Sequence, residues 1–179
     1  METQWIITEI DGKVASIATD YRHFAHIAAQ VAALPADEVG SVGTRKISTQ
    51  QLLEFANYLS WDDLRLFGTP FQIKVWKKLF ELPHKLYSYT QLAALVGNPQ
   101  GVRAVAHVTA INPVAYVIPC HLVIPKESLD RARQIRTLAE GTTLFKGEDL
   151  YLLDSLDVGA YAYGADLKRE LIKLQLSEA

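Results

Sequence analysis

The sequence predicts an α/β (α+β) chain. A small N-terminal α/β lobe over residues 1–65 is followed, over residues 66–179, by a mostly helical, winged-helix-like lobe that contains a helix-turn-helix. Three observations carry this expectation. Asp11-Gly12 stands between two apolar runs, where a tight hairpin turn is needed. Ser/Thr-x-x-Gln recurs at Ser48, Thr69 and Ser88, each time ahead of an apolar-periodic run, and that spacing is the capping box that opens helices. Gly97-Asn98-Pro99 then joins two short helical segments, as a helix-turn-helix does.

Taken in order, residues 4–18 form the hairpin, with Trp5 to Ile10 and Val14 to Ala18 as its strands. Residues 22–34 are alanine-rich and place Phe24, Ile27, Val31 and Leu34 at helical spacing, and Pro35 stops that helix. Residues 35–47 hold turn formers and one short basic patch, Arg45-Lys46, and read as an exposed connector. Ser48 opens a helix through Leu59. Thr69-Pro70 opens the next, with Phe71, Val75 and Leu79 on one face and Pro83 beyond its end at Leu82. Ser88 and Gln91 start a short helix that terminates at Gly97. Asn98 caps and Pro99 begins the following helix, which runs to Ile111. Such a pair suits a plain bundle as well as a reader of DNA. Residues 126–158 form a separate block. Its helix from Glu127 to Glu140 bears Arg131, Arg133 and Arg136 and reads as a solvated face, and Tyr151-Leu152-Leu153 as a short strand or turn. The last helix, 166–176, places Leu167, Leu171 and Leu174 on one stripe.

Composition bounds what this chain does. With 49% hydrophobic and 21% charged residues over 179 positions it is a globular protein with a sound core, not a disordered one. A net charge of −2 argues against broad adhesion to nucleic acid, so any contact with DNA must be small and locally positive. No apolar run approaches bilayer length. Met1-Glu2-Thr3-Gln4-Trp5 lacks the basic-then-apolar pattern of a secretory signal. A lone thiol suits a reducing compartment. The expectation is therefore a cytoplasmic protein (nuclear if the host is eukaryotic) that acts as a monomer. One cysteine excludes an internal disulfide and a Cys-rich zinc site. His23 and His26 are three apart, but nothing nearby supplies further ligands. Neither a metal nor a cofactor is expected.

That cysteine, Cys120, stands between Pro119 and His121, eight residues after Asn112. In isolation a single cysteine is usually a small buried hydrophobe. A thiol beside an imidazole is, however, the minimum equipment of a cysteine nucleophile, because the ring accepts the proton and leaves the attacking thiolate.

Five blocks now converge: Gly68-Thr69-Pro70-Phe71-Gln72 with Val75-Trp76; Ser88-Tyr89 with Leu92-Ala93; Arg103-Ala104-Val105; Asn112-Pro113; and Pro119-Cys120-His121. In this order and spacing the segment 66–124 resembles the O6-alkylguanine-DNA alkyltransferases, the methylated-DNA–protein-cysteine methyltransferases. Tyr161-Ala162-Tyr163-Gly164 resembles their closing segment. The resemblance implies a DNA-binding second lobe. It implies double-stranded DNA carrying O6-alkylguanine as partner, bound through the minor groove, and single-turnover transfer of the alkyl group to Cys120 after base flipping. It assigns Arg103 to the vacated base stack and Tyr89 to the flipped nucleotide's 3′ phosphate and to protonation of the leaving oxygen. His121 becomes the base, acting through a water. Asn112 ties the turn of the recognition helix to the cysteine strand, and Val123, through its backbone, recognises the guanine edge. Tyr161 and Ala162 fall to the substrate pocket. Small residues Gly101, Ala104, Ala106 and Ala110, with Thr109, suit a helix that approaches DNA closely, as they would suit a buried helix.

Three departures stand out. Leu122 replaces an arginine that usually follows Pro-Cys-His in the family, where it is an ion-pair partner. The block 126–158 replaces a short loop. Gln175 falls where the family has the glutamate that holds the histidine, with Glu170 and Glu178 as substitutes if the last helix is shifted. A lesion sensor without efficient transfer is the competing expectation. A helix-turn-helix regulator with a redox thiol is a more distant one.

Overall fold

The computed structural model describes residues 2–19, 29–140 and 147–177. It divides into two compact units, Met1–Phe80 with Asn112–Ile118, and Glu81–Ile111 with Pro119–Ala179. These differ from lobes divided at residue 65, because residues 66–80 and 112–118 go with the first unit.

In the first unit β1 (Gln4–Ile10), β2 (Lys13–Ala18) and β3 (Val42–Ser48) form an antiparallel sheet ordered β2-β1-β3. The hairpin turn has Asp11 at φ 50 and Gly12 at φ 79, a left-handed pair that Asp-Gly accommodates with little strain. The Asp11 carboxylate accepts the Ser41 and Gly40 N–H groups at 2.7 and 3.2 Å, which fixes the entry to β3. Residues 42–47, expected in an exposed connector, are thus mostly strand. Only Ile47 on β3 is buried, so no alternation marks it in the sequence. Of the helix expected over 22–34, residues 29–32 are helical and residues 22–28 lie outside the described residues.

Helix α1 (Thr49–Ala56) has both bonds of the Ser48–Gln51 capping box and ends three residues before the expected Leu59. Helix α2 (Pro70–Glu81) starts at Thr69, whose hydroxyl accepts the Gln72 N–H at 3.2 Å while Gln72 Oε1 accepts the Thr69 N–H at 2.9 Å. It buries Val75, Trp76 and Leu79. Residues 113–115 extend the free edge of β2: Ile17 N–H donates to Pro113 O at 2.9 Å and Ala115 N–H to Ile17 O at 3.1 Å.

In the second unit, helices α3 (Tyr89–Leu95) and α4 (Val102–Ala110) pack together across a turn. Gly97 at φ 78 ends α3, and Asn98 N–H bonds back to Ala93 O at 2.9 Å. Helix α4 begins at Val102 with Gly101 as its N-cap, three residues later than the expected start at Pro99. The Asn98 carbonyl holds the Gly101 N–H at 3.0 Å, and the Asn98 amide lies over Gly101 where a Cβ would meet Nδ2 at 2.1 Å. Asn98 therefore shapes a turn and does not cap the helix.

Two short strands, β4 (Tyr87–Ser88) and β5 (Val123–Ile124), pair in parallel, and β5 follows a 3₁₀ turn at Cys120–Leu122. Helix α5 (Lys126–Glu140), a 3₁₀ segment (Gly147–Ser155) and helix α6 (Ala165–Ser177) complete the unit. Residues 151–153, expected as strand or turn, are 3₁₀.

The block 126–158 is not a surface appendage. Leu129, Leu153 and Val158 enter one apolar cluster with Leu86, Leu122, Ile124 and Ile172. Arg136, expected in water, is 1% exposed. Its position repeats that of Leu129 and Ala132 on the buried face of α5, which overrides the helix's polar composition. On α6 the buried face is Lys168, Leu171, Ile172 and Gln175, whereas Leu167 and Leu174 are half-buried. The leucine stripe read from the sequence is rotated because two polar side chains turn inward. Among the described residues no helix is long and apolar enough to cross a membrane.

Candidate active site

Cys120 opens the 3₁₀ turn that leads into β5. The residue is recessed but keeps 7% of its surface, whereas the adjoining His121 has none. His121 Nε2 and Gln175 Oε1 are 2.6 Å apart. An amide oxygen only accepts, so Nε2 carries the proton and Nδ1 is the acceptor nitrogen of the neutral ring. Burial drives the His121 pKa down to about 3, against the raising effect of the Gln175 bond, and Lys168 and His84 add repulsion. The ring is therefore neutral at physiological pH. The last helix is in the register that places Gln175, and not Glu170, against the histidine; Glu170 is exposed and Glu178 lies outside the described residues.

Lys168 lies two turns before Gln175 on the same face of α6 and is 1% exposed. Its ammonium donates to the Tyr89 hydroxyl at 3.3 Å and to the Ala160 carbonyl at 3.4 Å, and sits 5.6 Å from the centre of the Tyr89 ring. Desolvation pulls its pKa down to about 8, while the negative charge available at Cys120 and at Asp157 acts to raise it. Desolvation, Cys120 and Asp157 push the Tyr89 phenol up to about 12, so Tyr89 holds its proton. The Tyr161 hydroxyl is buried and its acidity is lowered strongly, first by desolvation and then by the charge and hydrogen bonding of Cys120. Tyr163 meets the Tyr161 ring edge-on at 5.3 Å. Gly159, at φ 78, backs this cluster: a Cβ there would meet Pro125 Cδ at 3.2 Å and the Tyr89 hydroxyl at 3.3 Å.

Cys120, His121, Tyr89, Gln175 and Tyr161 are thus brought together in the second unit. Ala162 is exposed beside Tyr161. Val123 has no exposed surface, and its N–H donates to the Cys120 carbonyl, so its N–H is already used within the protein. In the first unit Asn112 clamps the segment that precedes Pro119-Cys120: Nδ2 donates to Ile118 O at 2.7 Å and Oδ1 accepts the Val114 N–H at 3.0 Å.

On α4, Arg103, Ala104, His107 and Ala110 share the exposed face. Thr109, expected on that face, is 3% exposed and its hydroxyl donates to Val105 O at 2.8 Å. It belongs to the packed side of the helix. Sequence reasoning missed Lys168 and Gly159. The seven-residue spacing from Gln175 was the available signal for the lysine, since i and i+7 share a helix face. Among the described residues no group of three or more His, Cys, Asp or Glu side chains could hold a metal.

Residues 70–143 match the family model of the 6-O-methylguanine DNA methyltransferase, DNA binding domain. A probable methylated-DNA–protein-cysteine methyltransferase of Acanthamoeba polyphaga mimivirus is 45% identical over 73 residues, 40% of this chain and 49% of the viral protein. A methylated-DNA–protein-cysteine methyltransferase of Methanosarcina barkeri is 38% identical over 95 residues, 51% of this chain and 60% of the relative. The matches thus span about half to three fifths of those relatives' length. The crystal structure of Mycobacterium tuberculosis O6-methylguanine methyltransferase shares the fold, with TM-score 0.55 at 23% identity over 94% of this chain and 83% of that one. The likeness to the 6-O-methylguanine DNA methyltransferase, DNA binding domain is thus carried by residues 70–143, less than half of this chain.

Proposed function

We propose that this protein repairs DNA by moving the alkyl group of O6-alkylguanine irreversibly onto Cys120, each molecule acting once. The observation that carries the reading is a recessed cysteine adjoining a neutral, hydrogen-bonded histidine, with a protonated tyrosine and a buried lysine in the same cluster. A thiol so placed reaches only a group delivered into the site, and a base delivers its O6 carbon only after leaving the stack, at a cost of a few kcal/mol. Arg103, exposed on α4 with Ala104, His107 and Ala110, is the side chain offered to the vacated stack through the minor groove. The α3–α4 pair acts as the helix-turn-helix, its contact confined to this small face, as the net charge of −2 requires.

The chemistry is one displacement. The Cys120 thiol loses its proton towards the His121 Nδ1 side, directly or through a water, and sulfur attacks the alkyl carbon as the carbon–oxygen bond breaks. Tyr89, held as the neutral phenol, donates to the departing guanine. Its place beside Lys168 and Gly159 favours this role over a push on the 3′ phosphate. Asn112 holds the approach to the cysteine, and Tyr161 with Ala162 flanks the base. Val123 contributes its carbonyl to the guanine edge. The thioether has no easy hydrolysis. The protein works as a monomer, in the cytoplasm or nucleus, without cofactor.

Gln175 favours one second reading, a lesion sensor that flips and holds the base but transfers slowly, since an amide cannot neutralise an imidazolium. Intact mass after incubation with an O6-methylguanine duplex separates the two. A stoichiometric methyl adduct on Cys120 is expected; tight lesion binding with unmodified protein would establish the sensor instead.

A further inference from the structure

The 126–158 block ends at the site. Its 3₁₀ segment, Gly147–Ser155, runs out at Leu153 and Leu156, whose side chains are buried. Carbonyls at the end of a helical segment run short of partners within it. Arg169 on α6 answers two of them: Nε donates to Leu153 O at 3.0 Å and Nη2 to Leu156 O at 2.9 Å. Three carboxylates, Asp154, Asp166 and Glu170, line the same groove. The guanidinium nevertheless gives its short bonds to the backbone. Its contact with Asp166 is long, at 3.4 Å, and that carboxylate is fully exposed, so the ion pair contributes little. A planar fork suits two carbonyls at once, as an ammonium does not.

Just beyond Leu156 the chain turns against Tyr89. Asp157 Oδ1 accepts the Gly159 N–H at 2.8 Å, which closes an Asx turn, and Gly159 follows with φ 78. Val158, between them, is fully buried in the apolar cluster. A Cβ on Gly159 would stand 3.3 Å from the Tyr89 hydroxyl and 3.2 Å from Pro125 Cδ. The backbone at 159 is therefore the surface on which the phenol rests. Two side chains set that surface, Arg169 before the turn and Asp157 across it.

We propose that Arg169 and Asp157 are positioning residues for alkyl transfer, fixing the 156–159 turn where it aims the Tyr89 hydroxyl at the departing guanine. This rests on the repair reading above, with Tyr89 as its proton donor, and deepens it. Both residues act through the turn and through Tyr89, not on the reacting atoms. A well-placed proton donor contributes about 10²–10⁴-fold to a transfer that needs one. Misplacing a group by about 1 Å costs up to about 10²-fold. A slackened turn thus forfeits part of what Tyr89 contributes, and no more than that. The long block after the cysteine then takes part in the chemistry through its last residues as well as supplying core.

The test follows single-turnover methyl transfer in the full chain against the concentration of an O6-methylguanine duplex, which separates the limiting rate from half-saturation. Asp157 is exposed, and Asp157→Ala removes its bond to Gly159. The limiting rate should fall by about fivefold or more, with half-saturation moved by less than about twofold. Asp157→Asn keeps the Oδ1 acceptor without the charge and should stay within about twofold of wild type; an asparagine variant as slow as the alanine one overturns the geometric role. Arg169→Met should cost about tenfold in the limiting rate. Lys173→Met, which cuts a separate tie from α6 to Asp154, should leave it unchanged. Iodoacetamide alkylation of Cys120 is the control for a loosened site: iodide leaves without a proton, so every variant should react at the wild-type rate. A parallel loss there overturns the proposal. In a Tyr89→Phe background Asp157→Ala should slow transfer no further, and an additional loss of the same factor overturns it too. If Arg169→Met does not fold, the two Asp157 variants decide alone. The repair reading fails separately, on the absence of a methyl adduct in wild type.

Discussion

Replacing Gln175 with glutamate tests how far the amide limits transfer. Gln175 Oε1 is 2.6 Å from His121 Nε2, and His121 is fully buried, so a carboxylate there would bond the ring in a site little screened by water. A neutral hydrogen bond contributes about 0.5–1.5 kcal/mol and a charged one about 1.5–3. The difference, about 1–2 kcal/mol, favours the imidazolium and raises the His121 pKa from about 3 by roughly one unit. The free ring stays neutral at physiological pH, but the imidazolium–thiolate pair is stabilised by the same energy, which enlarges the reactive fraction by about tenfold. Single-turnover transfer from an O6-methylguanine duplex, with the His121 titration followed by NMR, reads both quantities. A Gln175→Glu rate unchanged within about twofold, in protein whose His121 titration has moved up, refutes the link between imidazolium stability and transfer.

The remaining predictions are these. His121 has its pKa depressed from 6.5 to about 3, so its contribution to stability is complete above the unfolded value and drains away as pH falls towards 3. The loss is on the order of 4 kcal/mol, visible as an acid limb in urea unfolding that His121→Asn flattens. Asn112→Ala removes two buried hydrogen bonds and strands the Ile118 carbonyl, which should cost about 1–3 kcal/mol by denaturant melt. Leu122→Arg puts a guanidinium among Leu86, Ile124, Leu129 and Ile172, and a loss of more than about 3 kcal/mol is expected; a fully folded, equally stable variant would show that the cluster can open. Arg103→Ala, on an exposed face, should leave the melting temperature within the error of a surface change and slow transfer from duplex DNA by at least about tenfold.

Much of the helical framework was legible because its signals are local. Each capping box, at Ser48, Thr69 and Ser88, places a helix start to within a residue, since the side chain and backbone that bond are three positions apart. The Asp11-Gly12 turn was legible for the same reason. Strand β3 was not, because its pairing partner β1 lies some forty residues away and its exposed residues carry no alternation. Asn98-Pro99 misled because a cap and a turn use the same side chain, and only the position over Gly101 distinguishes them. At the site, the adjoining thiol and imidazole pointed to Cys120 and His121, and the family resemblance pointed to Tyr89 and Gln175. Both passed over Lys168, because a lysine on an amphipathic helix ordinarily points to water and its burial depends on the 156–161 segment and Tyr89. Arg136 was misjudged in the same way.

The floor beneath Cys120 and the block 126–158 form one construction. Leu122, two residues after Cys120, shares its apolar surroundings with Leu129, Leu153 and Val158, and Arg169 on α6 ties the carbonyls of Leu153 and Leu156 at 3.0 and 2.9 Å. A chimera that trims this block to a short loop would strip the leucine of its cover and leave greasy surface beside Cys120. Only a simultaneous exchange of Leu122 for a polar residue with its own partner would let the shortened chain close again, so the two features must be inherited, or engineered, as a pair.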